Sequence, residues 1–187
     1  MVWKSVSLDK AMMWILWWGE DMSKTKRLAL CAVLISLALA LSYTERFLPL
    51  QMLIPLPGVK LGLANIVTLI ALYLLGPEAA FAILIPRCIL GAVFGGGITG
   101  LLFSLTGGLL AMSVMALCRR IPTLSVYGVS ILGAAAHNIG QILAAMVLMR
   151  SVYVGAYLPW LLLVSLFTGF ATGAAGAGVL RVMKDRI

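Results

Sequence analysis

Six polar side chains lie inside or directly beside long apolar runs of this sequence, where an isolated polar group is costly to bury. They are Lys60, Asn65, Arg87, His137, Asn138 and Gln141. Together they offer one ammonium, one guanidinium, one imidazole and three amides, with no acid among them. Such groups bind anions or molecules rich in hydrogen-bond acceptors. The residue types therefore predict a ligand-binding site.

Spacing connects three of these residues. His137 and Gln141 are four residues apart and Asn138 and Gln141 three apart, so a helix would place them on one sector. Arg87 follows Pro86 in the middle of another apolar run. A guanidinium at that depth is costly unless it meets water, an acceptor or an anion, so we favour a ligand contact for Arg87.

Each candidate also has a structural alternative. Arg87 could cap backbone carbonyls that Pro86 leaves free. His137 and Asn65 could form hydrogen bonds between helices. Lys60 could anchor a helix end at the membrane interface, and we slightly favour that role over a direct ligand contact.

The sequence lacks the motifs that several kinds of chemistry require. The sequence has no GxxxxGK[ST] loop for nucleotide hydrolysis, no pair of acids for a metal-bound diphosphate and no His/Cys/acid cluster for zinc. No nucleophile with a base and an orienting acid is visible, and no acid falls inside a predicted span. The three cysteines, Cys31, Cys88 and Cys118, have no pairing or metal-ligand spacing and are typical of small core residues. We expect a protein that is not an enzyme and that holds no metal or cofactor.

The composition indicates an integral membrane protein. Hydrophobic residues make up 63% and charged residues 11% of the 187 residues, and the mean hydropathy is +1.10. No water-soluble domain of this size could cover so much apolar surface. The net charge of +8 comes from basic residues at the ends of apolar runs, which is typical of membrane anchors rather than of nucleic-acid binding.

The apolar runs predict an all-α, polytopic bundle of six transmembrane helices, because they do not alternate with the period of two that barrel strands show. The predicted spans are 28–44, 61–75, 79–94, 98–117, 126–149 and 157–180, within one domain, 22–187. Residues 1–21 form an N-terminal extension whose apolar core is shorter than the roughly 20 residues of a span. The extension either lies in the membrane interface, or translation begins at Met22.

Basic residues set the expected orientation. With six spans both termini lie on one side, which would hold Lys24, Lys26, Arg27, Arg119, Arg120, Arg181, Lys184 and Arg186. The other side would hold Arg46, Lys60 and Arg150. The excess of basic residues on the side that holds the termini predicts a protein of the cell membrane with both termini in the cytoplasm. Lys60 and Asn65 would then lie toward the outer side, and Arg87 and His137 near the midplane.

A stripe of small residues runs along the first span. Ala32, Ser36 and Ala40 recur at four-residue spacing, which places them on one helix face and permits close approach of another helix. The stripe could pack within the chain or dock another protein. On sequence alone we favour packing within the chain.

The segment PGVKLGLANIVTLIALYLLG, with LSYTERFLP before it and PRCILGAVFGGG after it, resembles a known signature. It is that of the membrane family labelled heptaprenyl diphosphate synthase component I or Gx transporter. The resemblance covers residues 22–187 and leaves 1–21 outside. That family is in turn similar to the substrate-binding S components of energy-coupling factor (ECF) vitamin transporters, which are six-helix proteins.

The S-component resemblance implies a subunit that captures a micronutrient from outside. It implies docking through the first helix onto a transmembrane coupling protein powered by ATPase subunits. Ala32, Ser36 and Ala40 stand where the docking motif is expected, with a serine interrupting its all-alanine pattern. The expected ligand is a small molecule that is anionic or rich in hydrogen-bond acceptors, bound by the six polar residues.

The enzymatic label implies prenyl chain elongation, which needs aspartate-rich motifs. The sequence has no DDxxD motif, so the chain would at most assist a separate catalytic subunit. We therefore predict a membrane substrate-binding subunit of an uptake transporter. The alternatives are a non-catalytic membrane component associated with heptaprenyl diphosphate synthase, and a stand-alone carrier or lipid-binding scaffold.

Overall fold

The computed structural model describes residues 23–47 and 62–185, and every regular element in these ranges is helical. Helix α1, Lys24–Thr44, is followed by a 3-10 turn, Glu45–Phe47. The later helices are α2, Asn65–Leu75; α3, Pro77–Gly91; α4, Gly97–Cys118; α5, Val126–Met149; and α6, Leu158–Asp185. The segment Ala92–Gly96, whose backbone is non-helical at Phe94 and Gly95, joins α3 to α4, and a 3-10 turn, Val152–Tyr157, precedes α6.

Local sequence signals explain several of the helix ends. The side chains of Ser23 and Ser125 accept hydrogen bonds from backbone amides in the first turns of α1 and α5. Gly76 takes a positive φ of 86° after α2, and Pro77 begins α3 at a position where its missing N–H costs nothing. Arg150 ends α5 in the left-handed region with φ of 49°.

Helix α2 is short and enclosed by the rest of the bundle. Its 11 residues extend about 16 Å, which is too short to cross a membrane. All of its residues except Ile66 are buried. Helices α1, α3, α4 and α6 pack against it, so α2 lies inside the bundle.

Helices α3 and α4 form an antiparallel hairpin. In one continuous helix, Arg87 and Gly108 would be about 30 Å apart. Instead, a Cβ added at Gly108 would lie 2.8 Å from Cδ1 of Leu84 and 3.5 Å from Nη2 of Arg87. The chain therefore folds back between the two helices, at glycines with φ of 104° (Gly95) and 61° (Gly97).

Replacing Gly97 by alanine should destabilise this hairpin. Its φ of 61° with ψ of −177° is a conformation that is essentially restricted to glycine, so the cost should be about 1–3 kcal/mol. No atom lies within 4 Å of an added Cβ, so backbone strain alone would cause the effect. The measurement is the thermal unfolding midpoint in detergent. Gly178→Ala on α6 is the control, since its Cβ is equally unobstructed and its φ is not positive; equal midpoints for the two variants would contradict the prediction.

Glycines also allow close packing between α4, α5 and α6. A Cβ at Gly140 would lie 2.7 Å from the Thr106 carbonyl oxygen, and one at Gly169 would lie 2.6 Å from the Ile131 Cα. Ser130 and Thr172 form a buried 2.7 Å hydrogen bond between α5 and α6. Small residues and side-chain hydroxyls hold these helices together in the way that is usual for membrane helices.

One end of the bundle gathers basic residues. Arg27 donates to the Leu75 carbonyl at 3.3 Å, and Arg119 donates to the Leu72 carbonyl with its guanidinium 5.3 Å from the Tyr73 ring centre. These contacts place the start of α1 and the ends of α2 and α4 together. Lys24, Lys26 and Arg120 lie beside them in the sequence, so basic residues are grouped at this end of the bundle.

The predicted class of an all-helical membrane protein is confirmed. Four segments are long and apolar enough to cross a membrane, namely Lys24–Thr44, Pro77–Cys118, Val126–Met149 and Val152–Met183. The second contains both α3 and α4, and α2 is too short to count. The number of six spans is therefore not confirmed, although each predicted apolar run contains a helix. Residues 1–21 lie outside the described ranges.

The stripe of small residues on α1 does not pack against the described helices. Ala32, Ser36 and Ala40 are all exposed, whereas Leu34 and Ala38 point into the bundle. The Ser36 hydroxyl donates to the Ala32 carbonyl of its own helix at 3.0 Å. The packing that we favoured from the sequence is thus absent from the described part of the chain.

Candidate functional site

Arg87 and Asn65 meet inside the bundle. Nη2 of Arg87 on α3 donates a 3.2 Å hydrogen bond to Oδ1 of Asn65, the first residue of α2. Both side chains are buried, and only 6% of Arg87 is exposed. Its Nε has no hydrogen-bond acceptor among the described residues. Arg87 therefore points into the protein, with one donor still available to a further acceptor.

His137 and Gln141 form a second polar pair close to Asn65. Nε2 of Gln141 donates a 3.1 Å hydrogen bond to Nε2 of His137, because an amide nitrogen cannot accept. Gly62 connects this pair to Asn65, because a Cβ added at Gly62 would lie 2.9 Å from Nδ2 of Asn65 and 3.3 Å from Cδ2 of His137. Only glycine fits at this position between the two side chains, and its φ is 81°.

Two adjacent glycines of α4 form one wall of this region. A Cβ at Gly107 would lie 2.9 Å from Nδ1 of His137, and one at Gly108 would lie 3.5 Å from Nη2 of Arg87. The pair therefore makes room for a histidine from α5 and an arginine from α3. The structure thus brings together Asn65, Arg87, His137 and Gln141, which we call the polar cluster.

Asn138 is directed elsewhere. Its Nδ2 donates a 2.9 Å hydrogen bond to the Leu161 carbonyl of α6, in a buried position. Asn138 therefore joins α5 to α6 and is not brought into the polar cluster, although the sequence placed it on the same sector as Gln141. Lys60 lies outside the described residues, and its role stays a prediction.

Removing the Asn138 amide should destabilise the fold and spare the polar cluster. Asn138→Leu leaves the buried Leu161 carbonyl without this donor, so we expect a loss of about 1–2 kcal/mol. The thermal midpoint should fall, while a small molecule extracted from the purified protein should be recovered at the wild-type level per folded protein. Loss of that molecule from a variant that remains folded would place Asn138 in the ligand site.

Glu45 is a residue that the sequence analysis did not assign to the site. It lies in the turn after α1, is only 4% exposed, and its Oε1 accepts a hydrogen bond from the backbone N–H of Leu63. Because Leu63 lies two residues before Asn65, this contact brings the carboxylate to the start of α2. The sequence did not point to this residue, because an acid at the end of a predicted span is ordinarily solvated.

The arrangement is suited to binding a molecule with hydrogen-bond acceptors. It presents a guanidinium, an imidazole and two amides at the start of a short buried helix, whose positive dipole end favours acceptor groups. The amide N–H groups of residues 65–67 are bound to carbonyls three residues earlier, so side chains would make the contacts. Within the described ranges, no group of His, Cys, Asp and Glu side chains could hold a metal ion.

Comparison with known proteins gives one finding about the family. No curated protein and no solved structure matches this chain. The sequence model of the family described as heptaprenyl diphosphate synthase component I matches residues 34–179, which extend from α1 into α6 and include the whole polar cluster. Because this match covers most of its length, the chain belongs to the heptaprenyl diphosphate synthase component I family.

Proposed function

We propose that this protein is the membrane substrate-binding subunit of a micronutrient uptake transporter, powered by ATPase subunits on other chains. The observation that carries the proposal is the polar cluster of Asn65, Arg87, His137 and Gln141, buried where the helices meet. Ionisable groups within a membrane bundle are expensive to bury and usually mark a substrate or ion pathway.

The hydrogen bonding of Arg87 supports a ligand in this place. Asn65 accepts from Nη2, while the buried Nε has no acceptor among the described residues. A buried donor without an acceptor costs about 1–3 kcal/mol, more for a charged group, so an acceptor atom on a ligand would stabilise it. The ligand is thus a small molecule rich in hydrogen-bond acceptors, with Lys60 as a further contact from the preceding segment.

The surface of α1 supports docking to a transmembrane coupling protein. Ala32, Ser36 and Ala40 are exposed on one face, so another helix could approach the α1 backbone closely. The basic residues at the end that holds the start of α1 favour that end facing the cytoplasm of a cell-membrane protein. The polar cluster then faces the outer half of the membrane, from which a nutrient would enter.

The description of the family favours a second candidate function. It describes a component of heptaprenyl diphosphate synthase, so the chain could be a membrane component that assists such an enzyme. It would not be the catalytic component, because the sequence lacks the aspartate-rich motifs that bind metal-diphosphate. In this function the polar cluster would either contact an isoprenoid substrate or only stabilise the fold.

One experiment separates the two functions. The tagged protein is purified from its native membrane in mild detergent, and mass spectrometry identifies both the bound proteins and the extracted small molecules. Recovery of ATPase subunits with a polar small molecule would support the transporter. Recovery of a soluble prenyl synthase with an isoprenoid diphosphate would overturn it in favour of the second function.

A further inference from the structure

Basic side chains collect at the end of the bundle where α2 ends. Arg27 of α1 and Arg119 of α4 both donate to backbone carbonyls in the last two turns of α2. The last turns of α6 lie at the same end, because a Cβ added at Gly173 would lie 3.1 Å from the Cα of Tyr127, the second residue of α5. The basic residues with described side chains at this end are Lys24, Lys26, Arg27, Arg119, Arg120 and Arg181. We call this surface the basic end.

The described acids do not neutralise the basic end. Glu45 contacts Leu63, which precedes α2, so it lies at the opposite end of that helix. Glu78 in the first turn of α3 is the one acid with a described side chain at the basic end. The carbonyl bonds of Arg27 and Arg119 each use one N–H of a guanidinium that carries five. The basic end therefore has both the charge and the donors to bind an anion.

Exposed apolar side chains lie directly beside these charges. Leu28 follows Arg27 in α1 and is 72% exposed, and Leu117 near the end of α4 is 62% exposed. Both leucines belong to segments that are long and apolar enough to cross a membrane, so they lie on the membrane side of the charges. A phospholipid has the same arrangement, with a phosphate beside acyl chains. An acidic protein surface or a soluble anion would match the charges but would leave the leucines uncovered.

We propose that the basic end binds the headgroup of an anionic phospholipid, whose acyl chains lie along Leu28 and Leu117. Arginine can donate two parallel hydrogen bonds to phosphate oxygens, and the contacts with α2 hold Arg27 and Arg119 in place for this role. A basic side chain beside an anionic membrane surface gives roughly a fivefold preference for it. Several such side chains together should select an anionic lipid over a zwitterionic one. This site is separate from the polar cluster and does not depend on the proposed function.

Lipid retention by the full-length protein tests the proposal. The purified protein is equilibrated in mixed micelles that hold equal amounts of phosphatidylglycerol and phosphatidylcholine with the same acyl chains. After washing in detergent, mass spectrometry counts the retained lipids. The wild type should prefer phosphatidylglycerol by more than about tenfold. Arg120→Gln removes an exposed charge and leaves the bonds of Arg27 and Arg119 to α2 intact, so it should lower the preference about fivefold in a folded protein.

Arg150→Gln is the matched control. Arg150 is also an exposed arginine just after a helix, but it follows α5 at the end opposite the basic end. Its replacement should leave the lipid preference unchanged. If Arg120→Gln does not fold, Lys24→Gln makes the same test at an exposed position in the first turn of α1.

Two results would overturn the proposal. Equal retention of the two lipids by the wild type would show that the basic end does not select an anionic headgroup, and an acidic soluble protein released by salt would then be its partner. An equal loss of preference in Arg120→Gln and Arg150→Gln would show that the lipid does not bind at the basic end. Neither result depends on a ligand in the polar cluster.

Discussion

Arg87→Lys is expected to leave the protein folded but to reduce the recovered ligand at least about tenfold. Lysine keeps the positive charge at this buried position, so we expect the variant to fold. It has no planar guanidinium, and it cannot donate in fixed directions to Asn65 and to a second acceptor at the same time. The measurement is the amount of small molecule extracted per folded protein after purification from the native membrane.

Arg27→Lys is the matched control for this prediction. Arg27 also donates through Nη2 to a buried helix, but to the Leu75 carbonyl at the opposite end of α2. The same change there should leave ligand recovery at the wild-type level. If Arg87→Lys and the wild type yield equal amounts of the small molecule, the guanidinium of Arg87 is not needed for ligand binding. The ligand site would then lie elsewhere in the protein.

The sequence predicts the helices well because their ends carry local signals. Helix α5 was expected at 126–149 and is found at Val126–Met149, with Ser125 capping its start and Arg150 in a left-handed conformation at its end. The break between α3 and α4 was expected at consecutive glycines and is found there. These features depend on a few neighbouring residues, which a sequence shows directly.

Which residues line the site was harder to predict, because this depends on the orientation of each helix about its own axis. Successive helix residues differ by about 100° in direction, so His137 and Asn138 need not face the same neighbour. His137 meets Gly107 of α4, whereas Asn138 meets the Leu161 carbonyl of α6. Spacing within one helix shows which residues are near each other, but not which helix each one faces.

Glu45 and α2 illustrate the same limit of local patterns. Glu45 follows the last turn of α1, where an acid is ordinarily solvated, yet it is buried and accepts the N–H of Leu63, 18 residues further along the chain. The apolar run of α2 resembles a lipid-facing span, because apolar residues suit both lipid and a helical interior. Enclosure of α2 by its neighbours is a tertiary property.

Gly140→Ala should cause a large loss of stability at the contact between α4 and α5. An added Cβ would lie 2.7 Å from the Thr106 carbonyl oxygen and 2.8 Å from the Gly107 Cα, both backbone atoms of α4. Backbone cannot rotate away as a side chain can, so α4 and α5 must separate. We expect a loss of about 3 kcal/mol in the free energy of unfolding, or about 10 °C in the thermal midpoint.

Gly100→Ala is the control for this substitution, because it is the same change at a buried position of α4 where no atom lies within 4 Å of an added Cβ. It should leave the midpoint unchanged or raise it slightly, since alanine favours a helix by up to about 1 kcal/mol over glycine. Gly140 lies between His137 and Gln141, and Gly107 contacts His137 directly. Separation of α4 from α5 should therefore also reduce the recovered ligand, even in the protein that remains folded. A Gly140→Ala variant as stable as Gly100→Ala would show that this close contact does not hold the two helices together, and that the polar cluster is supported in another way.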